Sequence, residues 1–249
     1  MEEFKISLIN LAHLCHLASL GNLLGGLIHN LNSPLHSLGM QMDIMQRFLL
    51  KENQSENQLV ENVSNRLSKM NDEFENLSNQ LRIAGIRADF LDYPPEKMDI
   101  NHFLHQEFEF LRANLYFKHN VETKLELAPS LPALTPLPPY FCLGMGLFLE
   151  RLVEELERRE SKHLSVGTTV SNGNPIAHIV IRNMGISEDF CHTLNLACSA
   201  SPFQADQGEE INLYVAVLLL KNSGVTFETE LKDADLSIQL TFGEKNPNH

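Results

Sequence analysis

Apolar residues keep helical spacing from about Phe4 to Leu50 with few breaks. Within that run Leu20, Leu23, Leu24, Leu27, Ile28, Leu31, Leu35 and Leu38 fill one side. His29, Asn32, Ser33 and His36 gather on the other, because steps of three and four place residues one above another on a helix. Pro34 lacks a backbone N–H, so the hydrogen-bond ladder is expected to break one turn after His29. The polar stretch 51–57, KENQSEN, reads as a turn, and Ser55 can cap a second helix that continues to about Ile86. There Leu59, Val63, Leu67, Met70, Phe74, Leu77 and Leu81 form a three-four stripe. Two long amphipathic helices joined by a short turn make a hairpin. One hairpin cannot bury both stripes, so a homodimer closing a four-helix bundle is expected.

Asp92-Tyr93-Pro94-Pro95 ends the helical pattern and marks a domain boundary, giving domains over 1–92 and 96–244. Beyond it the pattern predicts a helix over 100–118 and a strand over 121–127. A proline-rich loop over 129–139 and a helix over 141–159 follow. Paired strands over 164–170 and 177–181 flank the turn Ser171-Asn172-Gly173-Asn174. After a poorly patterned stretch, 211–222 reads as a helix, with strands over 225–230 and 236–242. The fold class expected is α+β: a helical hairpin followed by an α/β sandwich.

The bulk numbers narrow the function. A net charge of −13 over 249 residues argues against a nucleic-acid partner and an anionic membrane surface. No apolar run reads as long enough to span a bilayer, and the acidic start MEEFKISLIN lacks the basic flank of a signal peptide. Cys15, Cys142, Cys191 and Cys198 have neither metal-like nor disulfide-framework spacing and read as reduced thiols of a cytoplasmic protein.

Residues 17–35, LASLGNLLGGLIHNLNSPL, carry the chemistry. This run resembles the phosphoacceptor box of two-component histidine kinases, roughly L-A-x-L-G-x-L-x-x-G-I-A-H-E-[IL]-x-N-P-L. The resemblance covers some nineteen positions, including the His, the Pro five residues later and the upstream Gly. It implies His29 as phosphoacceptor, with Asn30 and Ser33 beside it and Gly25, Asn32 and His36 meeting a partner. Asn30 departs from the family's Glu or Asp. An amide can orient the imidazole but cannot take its proton at neutral pH.

The element order after residue 96 is similar to that of the family's ATP-binding domain, whose nucleotide boxes are degraded here. Glu150 and Glu155 stand where the family's metal-coordinating Asn is expected. Asn183 replaces the adenine-binding Asp, Gly185 remains, and Ser187 replaces a Gly. In the last box Gly208 survives, but Glu209 and Glu210 stand where phosphates would sit, and Asn212 replaces another Gly. Carboxylates a few ångströms from phosphates repel by several kcal/mol in a partly desolvated site. The helix dipole returns only about 1 kcal/mol.

The expectation is a histidine phosphotransfer protein. It would relay a phosphoryl group between His29 and receiver-domain aspartates, without ATP, with no cofactor of its own and with magnesium supplied by the receiver. Its partners would be response-regulator receivers and a hybrid histidine kinase. A non-phosphorylated pseudokinase scaffold is the alternative, and a divergent cytoplasmic kinase a weaker one. Blander readings stand for the other candidates. Met40, Met42 and Met45 read as core filling. Glu154, Glu155, Glu157 and Glu160 with Arg151, Arg158 and Arg159 read as a solvated, ion-paired helix face. His13, Cys15 and His16 cannot all aim at one metal ion from a single helix.

Overall fold

The computed structural model describes residues 8–50, 55–88, 96–135, 140–182, 188–198, 211–232 and 235–243. Two helices, α1 (Leu8–Leu49) and α2 (Glu56–Ala88), form the hairpin. The first runs without interruption through Pro34, which is buried, so the proline removes one rung of the hydrogen-bond ladder without ending the helix. Proline costs one hydrogen bond, but packing on both sides of it holds the helix together.

α1 has three faces rather than the two its leucines suggested. The first meets the C-terminal half: Ala12, Cys15, His16 and Ser19 are buried there, and Leu23, Gly26 and Asn30 are half-buried. The second meets α2, where Ser37 Oγ donates to Glu73 Oε1 at 2.8 Å and Arg66 Nη1 donates to the buried Gln41 Oε1 at 2.8 Å. The third is exposed among the described residues. Ile28, Leu35, Met42 and Leu49 recur every seven residues, each half or more exposed. On α2, Val60, Leu67, Phe74 and Leu81 do the same. Met42 therefore belongs to an outward stripe and does not fill the core. The same three-sided pattern makes α1 long and apolar enough, by length and composition, to cross a membrane, contrary to the sequence expectation.

The C-terminal half is a five-stranded mixed sheet with helices against it. The strands are β1 (Glu122–Glu126), β2 (His163–Ser171), β3 (Asn174–Ile181), β4 (Val225–Lys232) and β5 (Asp235–Phe242), in spatial order β1-β2-β3-β5-β4. Only β1 pairs in parallel, with β2. The β2–β3 turn uses Asn172 and Gly173, both at positive φ, as a two-residue hairpin of this twist requires. Alternate residues of β5, Leu236, Ile238, Leu240 and Phe242, point into the core. Helices α3 (Ile100–Leu111), α5 (Phe141–Arg158) and α7 (Ile211–Asn222) supply the rest of that core.

Two elements differ from the sequence pattern. The helix expected over 100–118 is split: it ends at Leu111, and Asn114 restarts the chain as α4 (Leu115–Asn120) by accepting from the Phe117 N–H at 2.8 Å. The poorly patterned stretch contains α6 (Glu188–Cys198), whose Phe190 and Leu194 are buried. The expected domain boundary at 92–95 lies outside the described residues.

Candidate functional site

The polar strip around His29 follows from helical geometry alone. Gly25, His29, Asn32, Ser33 and His36 are all exposed, and steps of three and four stack them along one line of α1. They lie beside the outward apolar stripe of Ile28 and Leu35. An imidazole on such a strip is open to a partner and to in-line attack.

Asn30 turns the other way. Its Nδ2 donates to the Arg112 carbonyl at 3.0 Å, and its Oδ1 accepts from Lys118 Nζ at 2.5 Å. Both ends of the amide are thus engaged with the α3–α4 region. The orienting role expected for Asn30 toward the His29 ring is not what this amide does here. Lys118 carries no signal in the sequence, since one surface lysine looks like any other. One turn before Asn30, Gly26 lies against the same segment: a Cβ there would fall on the Ala113 carbonyl.

Further along the same face a buried charge cluster joins hairpin and C-terminal half. The Ser19 hydroxyl donates to Glu150, and the Arg87 guanidinium pairs with Glu150. Arg87 Nη1 also lies 3.3 Å from Glu107 Oε2. Arg87 and Glu107 are essentially inaccessible, and Arg87 stacks over the Phe110 ring at 5.4 Å. One guanidinium facing two carboxylates cannot neutralise both. Burial first, then the nearby Glu150, push the Glu107 carboxyl up to about 7, although Arg87 pulls the other way. His16, buried in the same cluster, is pushed below the usual imidazole range by burial and then by Arg87. Gly146 leaves the room this needs, because a Cβ there would fall on the guanidinium.

Glu150 is therefore bound to the hairpin rather than free at a metal position. Glu155, the other carboxylate at that degenerate box, is fully buried among arginines. Arg151 Nη2 is 3.2 Å away, Arg159 Nε 3.3 Å and Arg158 Nη1 3.6 Å. Arg151 is itself buried and stacks over Phe190 at 5.6 Å. The solvated-face reading of this helix is corrected for Arg151 and Glu155, which are core, and holds for Glu154, which is exposed. Asn183, Gly185, Ser187, Gly208, Glu209 and Glu210 lie outside the described residues. A cleft of about 550 Å³ opens between α1 and α5, lined among others by Asn22, Gly25, Gly26, Asn114, Glu154 and Glu157.

His13 is exposed while Cys15 and His16 are buried, so these three side chains diverge. All four cysteines are free, and burial pushes the Cys142 thiol up to about 12. A thiol so far from ionisation is chemically quiet.

No family model matches the chain, and no curated protein does. Solved structures of similar course include a bacterial phosphotransferase, at 17% identity over 89% of this chain and 95% of that one, TM-score 0.43. The Acinetobacter baumannii histidine kinase AdeS aligns at 14% identity over 88% of this chain and 98% of that one, TM-score 0.44. The histidine kinase domain of the E. coli osmosensor EnvZ aligns at 16% identity over 61% of this chain and 89% of that one, TM-score 0.43. The present chain is α+β: a helical hairpin, then a five-stranded mixed sheet with helices against it.

Proposed function

We propose that this protein is a histidine phosphotransfer protein of a two-component relay, acting as a homodimer in the cytoplasm. A phosphorylated receiver domain would approach the exposed strip of α1. A ring nitrogen of His29 attacks the aspartyl phosphate in line; the P–O bond to the receiver aspartate breaks as the P–N bond forms. The reverse step hands the group to a second receiver. The receiver brings the magnesium and lysine that neutralise the phosphoryl charge, so this chain's task is to position the imidazole. Gly25 leaves space one turn before His29, and Asn32, Ser33 and His36 offer hydrogen bonds to the docked loop.

The observation that carries this reading is the exposed His29 within a nineteen-residue phosphoacceptor-like run, next to an Asn30 that has no basic function and is engaged elsewhere. The engagement of Glu150 and Glu155 by arginines and Ser19 supports the absence of ATP-driven autophosphorylation. The outward sevens on α1 and α2 support the dimer.

The test is incubation of the purified chain with radiolabelled phospho-receivers of the same genome. Label is expected on the parent and none on His29→Ala. A parent that takes label from no cognate receiver would overturn the relay and leave the scaffold reading. That second reading has one specific observation behind it: Asn30, beside His29, serves to hold the C-terminal half in place, as a scaffold would require.

A further inference from the structure

We propose that the inward face of α1 is a latch that fixes the C-terminal half to the hairpin as one body, and that Ser19, Gly26, Asn30, Arg87 and Glu150 are positioning residues for His29. The latch itself is independent of the phosphotransfer reading; its consequence for transfer rests on it.

The latch has two ends. At one, Glu150 of α5 is held by Ser19 of α1 and Arg87 of α2, with Glu107 of α3 closing the cluster. Four elements thus meet in one cluster, three of them directly at the Arg87 guanidinium and α1 through Glu150. At the other, Asn30 bridges the Arg112 carbonyl and Lys118. Between them Gly26 lets α1 touch the Ala113 carbonyl directly. Ser19, Gly26 and Asn30 are separated by seven and four residues, so all lie on one line of the helix. Each point is unfavourable to open. Pulling Glu150 away strands a buried Arg87, and breaking a buried ion pair on one side is strongly destabilising. Parting the Gly26 contact leaves a void along the whole seam.

A hinged C-terminal half would sample many positions around His29. A latched one presents His29 and the cleft beside Gly25 in a single geometry. Transfer depends on that geometry, since a misplacement of about 1 Å can lower the rate by roughly 10²-fold.

Gly26→Ala tests this without touching a charge. Alanine favours the helix over glycine by about 1 kcal/mol, so α1 itself is not weakened, while the new methyl must push the 112–114 segment away. Gly39→Ala is the control, because nothing lies within 4 Å of a Cβ there and the residue lies outside the strip around His29. Hydrogen exchange on the purified chain is the first readout. In Gly26→Ala, exchange should rise over residues 110–120 and stay at parent levels in β5. In Gly39→Ala it should not change. Glu150→Gln should loosen the same segment from the other end. Parent-like protection of residues 110–120 in both Gly26→Ala and Glu150→Gln overturns the latch.

Transfer kinetics are the second readout. Gly26→Ala is expected to lower the rate from a phospho-receiver by tenfold or more, with Gly39→Ala within twofold of the parent. Loosened exchange with an unchanged transfer rate overturns the positioning role. A parent that accepts no phosphate fails the phosphotransfer reading instead, and the exchange data still decide the latch.

Discussion

Asn30 and Glu107 show how neighbours decide what a side chain does. His29→Ala should abolish acceptance of phosphate while shifting stability by no more than about 0.5 kcal/mol, because the ring is exposed; phospho-transfer assay and thermal unfolding check the two halves. Asn30→Ala should weaken transfer less and cost about 1 kcal/mol, since it removes hydrogen bonds to Arg112 and Lys118. Asn30→Glu should gain no ATP-driven phosphorylation, because its carboxylate meets the Lys118 ammonium. Glu107 gives a pH prediction. Its folded value of about 7 lies above the ordinary 4.5, so its contribution is whole below pH 4.5 and lost as pH rises toward 7. The loss at full ionisation is about 3 kcal/mol. The groups that face it are Arg87, Glu150 and Cys142, with His16 in the same cluster. His16 acts in the opposite sense, being lost as pH falls below 6.5. Glu107→Gln should therefore flatten only the part of the stability curve between pH 4.5 and 7 relative to the parent. Equal slopes in denaturant titrations of the two proteins would contradict this.

At the scale of elements, the outward stripes on the hairpin are the faces that the proposed dimer would bury. Ile28, Leu35, Met42 and Leu49 on α1 and Val60, Leu67, Phe74 and Leu81 on α2 keep the seven-residue repeat of a supercoiled seam. Leu35→Glu or Phe74→Glu places a charge in the seam and should turn a dimer into a monomer by sedimentation at micromolar concentration. The fold of each chain should survive, because neither residue is buried within it. A parent that sediments as a monomer refutes the bundle. The hairpin was legible from its apolar spacing, as were α5, α7 and the β2–β3 hairpin with its Asn-Gly turn. The split at Arg112–Asn114 was not. Asn114 caps α4 locally, through the Phe117 N–H, but the apolar spacing over 100–118 runs straight across the turn and hides it. α6 was missed because a short helix anchored by Phe190 and Leu194 has too few turns to show a period.

For the whole molecule, the decisive feature is that the carboxylates Glu150 and Glu155 are both buried in ion pairs. Calorimetric titration with ATP and magnesium is expected to show no binding at millimolar nucleotide; a dissociation constant in the micromolar range would revive the kinase reading. Glu155 ties Arg151, Arg158 and Arg159 into α5, and Glu150 joins α5 to both helices of the hairpin. Removing either should be felt first as lost stability.

The exposed polar strip around His29 could be read from the chain alone, because helical stacking of residues three and four apart is a local property. The outward stripes could not be separated from the rest, since Ile28 and Leu35 read as part of one broad apolar side and Met42 as core filling. Nor could the face of α1 that meets the C-terminal half. Ala12, His16, Ser19, Gly26 and Asn30 share no chemistry that a pattern would register, and their common role appears only when Arg87, Glu107, Arg112, Lys118 and Glu150 are folded onto them. Burial then decides their charge states and bonds, and burial is set by tertiary packing rather than by neighbours in sequence.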